Sequence, residues 1–451
     1  MTNEQITELG NLIAGSGLML MDLAQVERLS KDFYWYSPVL KAELDDKVAD
    51  VIVQPETVET VTRIVKFSFR ERIPLTLRGA GTGNYGQAIP LQRGIVLDFS
   101  RMNTIHGIEN GVAECDPGVR LGALEQSARK AGWELRCYPS TWVKATVGGF
   151  LGGGSGGIGS ITYGGLRENG TVPAIDVMTM EAEPRIIRHQ GESVHEVLHS
   201  WGTNGLIVRL WLALGVRRDW AQVCATFPTL DQCREFARNV ARDDSLHKRL
   251  VTAFEWPLPS YFTPIRKFLP EGQAAAFFEV DDSQAETLKQ GAIAAGGTIT
   301  FYGPHQEPRR GPFLSDYTWN HTTLWALKGD PSWTYLQCGF SDERLAEQIG
   351  RLKKRYGADF LMHIEYVRSR GAIVPAALPV VRFTTKEDLW EMIRYCEEIG
   401  VSVSNPHVNF VEGGGRYHKD NIQLQTKYRY DKLGLLNPGK MSSFKPETTS
   451  V

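Results

Sequence analysis

Little in this sequence belongs to a stapled, metal-built or membrane-spanning protein. Its 451 residues include six cysteines, Cys115, Cys137, Cys224, Cys233, Cys338 and Cys396. None form a Cys-x-x-Cys pair and none stand at zinc spacing with histidine. A disulfide framework and a zinc module are therefore not expected, and reduced, buried thiols in a cytoplasmic protein are. No apolar stretch reaches the length of a membrane span, and the run at 206–216 is interrupted by Arg209. Residues 1–15 lack a basic segment followed by an unbroken apolar one, so no signal peptide is expected. Charge of one sign is also lacking. The net charge of -2 provides no footprint for nucleic acid or an anionic membrane.

What remains is an ordinary soluble composition, 42% hydrophobic and 23% charged, in a chain long enough for two domains or more. Glycine is the exception. There are 45, and the surplus is clustered.

Residues 4–30 read as a helical lead-in. An α/β texture follows, with strands expected at 49–53, 73–77, 94–99 and 112–115, and helices at 57–70 and 121–132. A second texture begins near Arg217. It has strands at 222–227, 250–256, 274–280, 298–302, 333–340 and 359–367, and helices at 230–242, 283–295, 342–356 and 385–399. Such repeated units suggest a sheet covered by helices on one face.

The first glycine cluster is Arg78-Gly79-Ala80-Gly81-Thr82-Gly83-Asn84-Tyr85-Gly86-Gln87. It contains Gly-x-Gly-x-x-Gly after a strand, the spacing of a nicotinamide-binding βαβ unit. That unit needs a helix after the third glycine, and Pro90 with the strand opening at Gly94 leaves no room for one. The Rossmann-type reading is rejected. The loop still suits an anion, because close glycines let successive N–H groups converge on a phosphate. A plain glycine-rich turn is the bland alternative.

The second cluster runs from Pro139 and Ser140 through Thr146, Gly148, Gly149, Gly152, Gly153, Ser155, Gly156, Gly159, Ser160 and Tyr163. A flexible linker is the bland reading. Against it, Val147, Phe150, Leu151, Ile158 and Ile161 are interleaved, and the stretch lies inside an α/β region. Two such loops suit one extended dinucleotide, one at the pyrophosphate and one beside the ribityl chain and ring.

In this order the motifs resemble the vanillyl-alcohol oxidase/p-cresol methylhydroxylase (PCMH-type) family of FAD-linked oxidoreductases. Gln54–Glu59, Arg78–Gln87, Val96–Met102, Asp116–Gly122, Thr146–Gly164, Gly202–Val208 and Leu436–Lys440 carry the likeness. It implies an α+β fold, with a two-subdomain FAD-binding domain and a substrate (cap) domain of antiparallel sheet covered by helices. The boundaries expected are 1–46 for the lead-in, 47–217 for the FAD-binding domain, 218–400 for the cap and 401–451 for a segment returning to the FAD domain. The likeness extends the cofactor contacts to Ser100, Pro117, Gly118, Gly205, Ile207, Val208 and Asn437. Thr82 stands where many relatives tether FAD through histidine, and 146–164 holds no cysteine, so non-covalent FAD is expected.

The resemblance implies hydride transfer from an alcohol or 2-hydroxy acid to the flavin, with the protein supplying orientation and a base. The candidates are Asn320 and His321, walled by Trp319 and Trp325; His363 and Tyr366, with Glu365 on the same strand face as His363; and His407, paired with Asn409 on one face just before Glu412. Each histidine is equally readable as a satisfied core residue. Tyr366 and Arg370 can hold a carboxylate, though Arg370 reads better as a solvated charge. No metal is expected, His363, Glu365 and His407 forming only a minority metal reading. Arg309-Arg310 reads as a loop charge. The partners expected are a small-molecule substrate and an acceptor left open among oxygen, a quinone and a protein, with a homo-oligomer allowed. A non-catalytic FAD-binding subunit of a larger redox complex is the competing reading.

Overall fold

The computed structural model describes residues 1–307, 313–414 and 422–447. Its first sheet has the strand order Gly17–Leu20, Val51–Pro55, Ile95–Asp98, Leu75–Arg78. The last three are parallel to one another and short, and nearly all their residues are buried, as expected where helices and turns cover both faces. Helix Val58–Glu71 starts where the Thr57 hydroxyl accepts from the Thr60 N–H at 3.2 Å, and it buries Val61, Ile64 and Val65 against the sheet. The chain returns here near its other end: Leu75 N–H donates to Leu435 O at 2.8 Å and Asn437 N–H to Leu75 O at 2.7 Å. The single helical lead-in expected over 4–30 is not what forms. Helices Asn3–Ile13 and Leu23–Leu29 are separated by Gly15, at φ 75°, and by an edge strand that pairs antiparallel with 52–55.

The second sheet is antiparallel and built around the long strand Leu206–Val216. Ile105–Glu109 and Val112–Cys115 lie on one side of it, Ala174–Met178 and Ile186–Gln190 on the other, and Trp133–Leu135 pairs with its end. Against this sheet the second glycine cluster forms two short helices, Val147–Gly153 and Ser160–Tyr163, rather than a loop. The reason is local: the Thr146 hydroxyl caps the first by accepting from the Gly149 N–H at 3.2 Å, and Val147, Phe150 and Leu151 share a buried face.

The third sheet has eight strands, in the order Thr298–Gly303, Trp220–Phe227, Ala274–Asp281, Lys248–Phe254, His363–Ser369, Ala372–Ala377, Gln337–Gly339, Ser402–Ser404. Helices Leu230–Arg242, Ala285–Ala294, Leu345–Tyr356 and Lys386–Glu398 pack on one face. The opposite face is not bare, as a sheet covered on one side only would be. Leu258, Phe262, Leu314, Tyr317 and Ala326, from single turns and helix Asn320–Gly329, bury Cys224, Phe254 and Phe277 there. This explains why Trp220–Phe227 is buried at every residue.

Two strands expected to be continuous are broken. Trp333–Tyr335 and Phe360–Leu361 belong to a small separate sheet with Val380–Arg382, while Gln337–Gly339 and His363–Ser369 continue into the large one. The crossings fall at Leu336, whose N–H turns to Pro379 O, and Met362, whose N–H turns to the Glu255 carboxyl. All six cysteines are free and buried, and among the described residues no helix is long and apolar enough to cross a membrane.

Candidate functional site

A cleft of about 1880 Å³, its open mouth included, lies where the three sheets meet. Its floor is the first glycine loop, from Gly79 to Gln87, and the helix with its following turn from Thr146 to Gly156. Pro117, Pro139, Ser140, Gly205 and Ile207 close one side, and the cap contributes Trp319, Asn320, Gln337 and Ala376–Leu378.

Residues 79–94 form no helix or strand, so the first loop is held by packing. A side chain on Gly79 would stand 2.2 Å from the Thr146 hydroxyl and 3.1 Å from Gly149 Cα, so the two glycine elements touch backbone to backbone. Gly81, at φ 63°, lies over the Arg78 guanidinium. Arg78 is itself buried, donates to Lys31 O at 2.7 Å, and is the only arginine or lysine among the described residues of the cleft wall. The Asn84 amide nitrogen is buried without a hydrogen-bond partner. A glycine-rich loop without regular structure, an amide nitrogen without a partner and a buried guanidinium form a site whose chemistry fits a pyrophosphate.

Of the residues singled out from sequence for the cofactor, Gly86, Ser100, Gly118, Gly159, Ser160, Tyr163, Val208 and Asn437 are not on the cleft wall. They support it. A side chain on Gly118 would meet the Phe99 carbonyl, and the Ser160 hydroxyl accepts from Gly157 N–H at 2.9 Å. Ser100 accepts from the Gln54 amide, and Tyr163 lies under Arg136. Gly86 turns the chain at φ 69°, Gly159 donates to Arg249 O, and Val208 is in the first sheet's core. Asn437 underpins the first loop, its amide donating to Gln87 O at 2.8 Å and Trp201 O at 2.7 Å.

The expected catalytic residues scatter. Asn320 is on the wall. His321 is not, and burial pushes its imidazole down to about 4, which leaves it neutral and weakly basic. His363 is fully buried, 2.9 Å from the Glu365 carboxyl and stacked on Phe254. Tyr366 points the other way, into the cap's helix-covered core, and donates to Arg234 O at 2.9 Å. Arg370, exposed in a hairpin at φ 50°, is not its partner. His407 lies outside any strand, so the shared face with Asn409 does not form. Its ring is held between the Ser37 hydroxyl at 2.7 Å and Tyr335 O at 2.8 Å, joining the lead-in to the cap. His363, Glu365 and His407 therefore do not converge, and no group of three metal-ligating side chains occurs among the described residues. Arg309-Arg310, and Gly415 at the end of the glycine run that follows Glu412, lie outside the described residues.

Several wall residues had escaped the sequence reading. Asp32, Phe33 and Tyr36 come from the lead-in, His199 and Trp201 from a turn before the long strand, and Gln337 from a cap strand. Burial raises the Asp32 carboxyl and lowers the Lys440 ammonium, each opposed by the charge of the other, and Lys440 Nζ has no hydrogen-bond partner. The aromatic run at 33–36 was a usable signal. The positive φ angles of His199 and Trp201, 56° and 55°, have none in sequence.

Comparison with known proteins names the domain to which both glycine segments belong. Residues 49–182 match the family model described as FAD binding domain. These residues are an FAD-binding domain. D-lactate dehydrogenase of Archaeoglobus fulgidus is 31% identical over 203 residues, covering 43% of this chain and 45% of that protein. Glycolate oxidase subunit GlcD of Escherichia coli is 34% identical over 136 residues, 30% of this chain and 27% of that one. The matched region is thus less than half the length of these curated relatives. A solved alkyldihydroxyacetonephosphate synthase shares the fold of the chain as a whole, with a TM-score of 0.74 over 98% of this chain and 85% of that one, at 16% identity.

Proposed function

We propose that the protein is an FAD-dependent oxidoreductase of the PCMH type that takes a hydride from the CH–OH carbon of a small alcohol or 2-hydroxy acid. Its FAD-binding domain would span 47–217 and its cap 218–400, with 401–451 returning to the first. The observation that carries this reading is one cleft running unbroken from the glycine floor to an uncharged cap wall that carries Asn320 and Gln337. The names of the relatives, a D-lactate dehydrogenase and a glycolate oxidase subunit, support the substrate class.

The amides of the first loop, Asn84 and Arg78 would hold the pyrophosphate, with the Thr146–Gly156 segment beside the rest of the cofactor. Bound FAD supplies a two-electron acceptor. The protein's own part is placement. The Tyr85 hydroxyl donates to Gln337 Oε1 at 2.6 Å, and Gln337 Nε2 reaches Asn320 Oδ1 at 3.5 Å, a chain joining first loop to cap. Its end leaves the Asn320 amide as a donor to orient a substrate oxygen. Thr82 at the tether position supports non-covalent attachment.

The purified protein is expected to be yellow and to release its flavin into the supernatant on acid precipitation. Anaerobic addition of D-lactate, glycolate or neutral alcohols is expected to bleach it with at least one of them. A coloured acid pellet would overturn non-covalent attachment. Yellow protein that no such donor bleaches without a second chain favours the subunit reading instead.

A further inference from the structure

Trp319 has a strained backbone on the cleft wall. Its φ of 53° and ψ of -139° lie where a residue with a side chain rarely sits, directly before helix Asn320–Gly329. Strain of this kind persists only where the surroundings impose it. Here they do: the Trp319 N–H donates to Glu365 Oε1 at 2.8 Å, and His363 Nε2 holds the same oxygen at 2.9 Å. Both side chains are buried to within 1%. Thr322 Oγ1, one turn into the helix, stands 3.5 Å from that same ring nitrogen, while His363 Nδ1 has no partner.

The result faces the cofactor floor. The Trp319 ring crosses from the cap to pack on the core of the second sheet, and its edge lies 3.5 Å from where a side chain on Gly156 would begin. Its indole nitrogen is buried without a partner. The part of Trp319 nearest the glycine floor is thus the benzo edge of its ring, and Trp319 lines the cleft beside Asn320.

We propose that His363 and Glu365 are positioning residues: together they hold Trp319 in its strained conformation so that its ring edge and the adjoining Asn320 amide form the cap's contact with the bound flavin and substrate. This deepens the FAD-dependent reading and rests on it. Neither His363 nor Glu365 touches the cleft, so neither is the catalytic base.

The test compares Glu365→Ala, Glu365→Gln and Trp319→Gly with the wild-type holoprotein. The readouts are FAD titration, tryptophan fluorescence quenching on FAD addition, and the visible absorption and circular dichroism bands of bound FAD. Glu365→Ala is expected to bind FAD within about threefold of wild type, since each tenfold needs about 1.4 kcal/mol and the glycine floor is intact. It should nevertheless lose the Trp319 share of quenching and shift the flavin bands. Where a donor bleaches the wild type, the bleaching rate should fall about 100-fold, the scale of an ångström misplacement at a reacting centre. Glu365→Gln keeps an oxygen for the Trp319 N–H and should restore most of these signals. Trp319→Gly accepts the same φ without strain and should reproduce the Glu365→Ala spectra even if that variant folds poorly. Wild-type flavin bands in Trp319→Gly, or a Glu365→Gln variant no better than Glu365→Ala, would overturn the proposal alone. A wild type that binds no FAD would overturn it together with the function.

Discussion

The two glycine-rich segments look alike in sequence and fold differently. The first, 79–88, takes no regular structure, and the second becomes two short helices. Apolar spacing makes the difference. Between Gly79 and Gly86 no two apolar side chains fall one helical turn apart, and a buried guanidinium sits under the loop instead. In the second, Val147, Phe150 and Leu151 make a helical stripe that the core accepts, and Thr146 caps it. Glycine density thus marks close backbone approach in both places, and the spacing of the few large side chains decides the local geometry.

The sharpest way to break the comparison is at the point where the segments touch. Gly79→Val puts a branched side chain into the 2.2 Å separation from the Thr146 hydroxyl, with Gly149 Cα behind it at 3.1 Å. It should abolish FAD retention on purification while the cap's helix signal in circular dichroism survives. A yellow Gly79→Val protein would mean that the contact is not what aligns the two segments.

Much of the FAD-binding half was legible because its signals are local. A strand followed by glycines and a proline at 90 excludes a phosphate-binding helix from sequence alone, and the structure has none there. The cap was less legible because its site depends on what lies opposite. His363 and Glu365 share a strand face, as their spacing predicts, but that face turned out to be sealed behind Trp319. Tyr366, one residue on, alternates to the other face and is lost to the core. The breaks at Leu336 and Met362 are sheet crossings that a run of apolar residues does not announce. The helix in the second glycine segment was within reach: a threonine cap followed by apolar residues at helical spacing was there to be read.

A smaller lesion separates capping from contact. Thr146→Ala removes the cap on Val147–Gly153, worth about 1 kcal/mol of stability. It also removes the atom that a side chain at Gly79 would strike. We expect Thr146→Ala alone to lower the unfolding midpoint slightly and to keep flavin. In the Gly79→Ala background it should recover part of the lost FAD affinity, a coupling that a double-mutant cycle reads directly. Strict additivity of the two changes would show that the segments are positioned independently.

The mildest change tests the second segment by itself. Gly152 lies within a helix yet on the cleft wall, and a side chain there would find no atom within 4 Å. In the protein without cofactor, Gly152→Ala should therefore stabilise the fold by roughly 0.5–1 kcal/mol, the ordinary gain of alanine over glycine inside a helix. With FAD present the same methyl group projects into the space the cofactor needs, so affinity should fall as apoprotein stability rises. Opposite signs for the two measurements would assign this glycine to the ligand rather than to the helix. Equal FAD affinity in the variant would show that the cofactor keeps to the first loop's side of the cleft, and that the second segment serves the core alone.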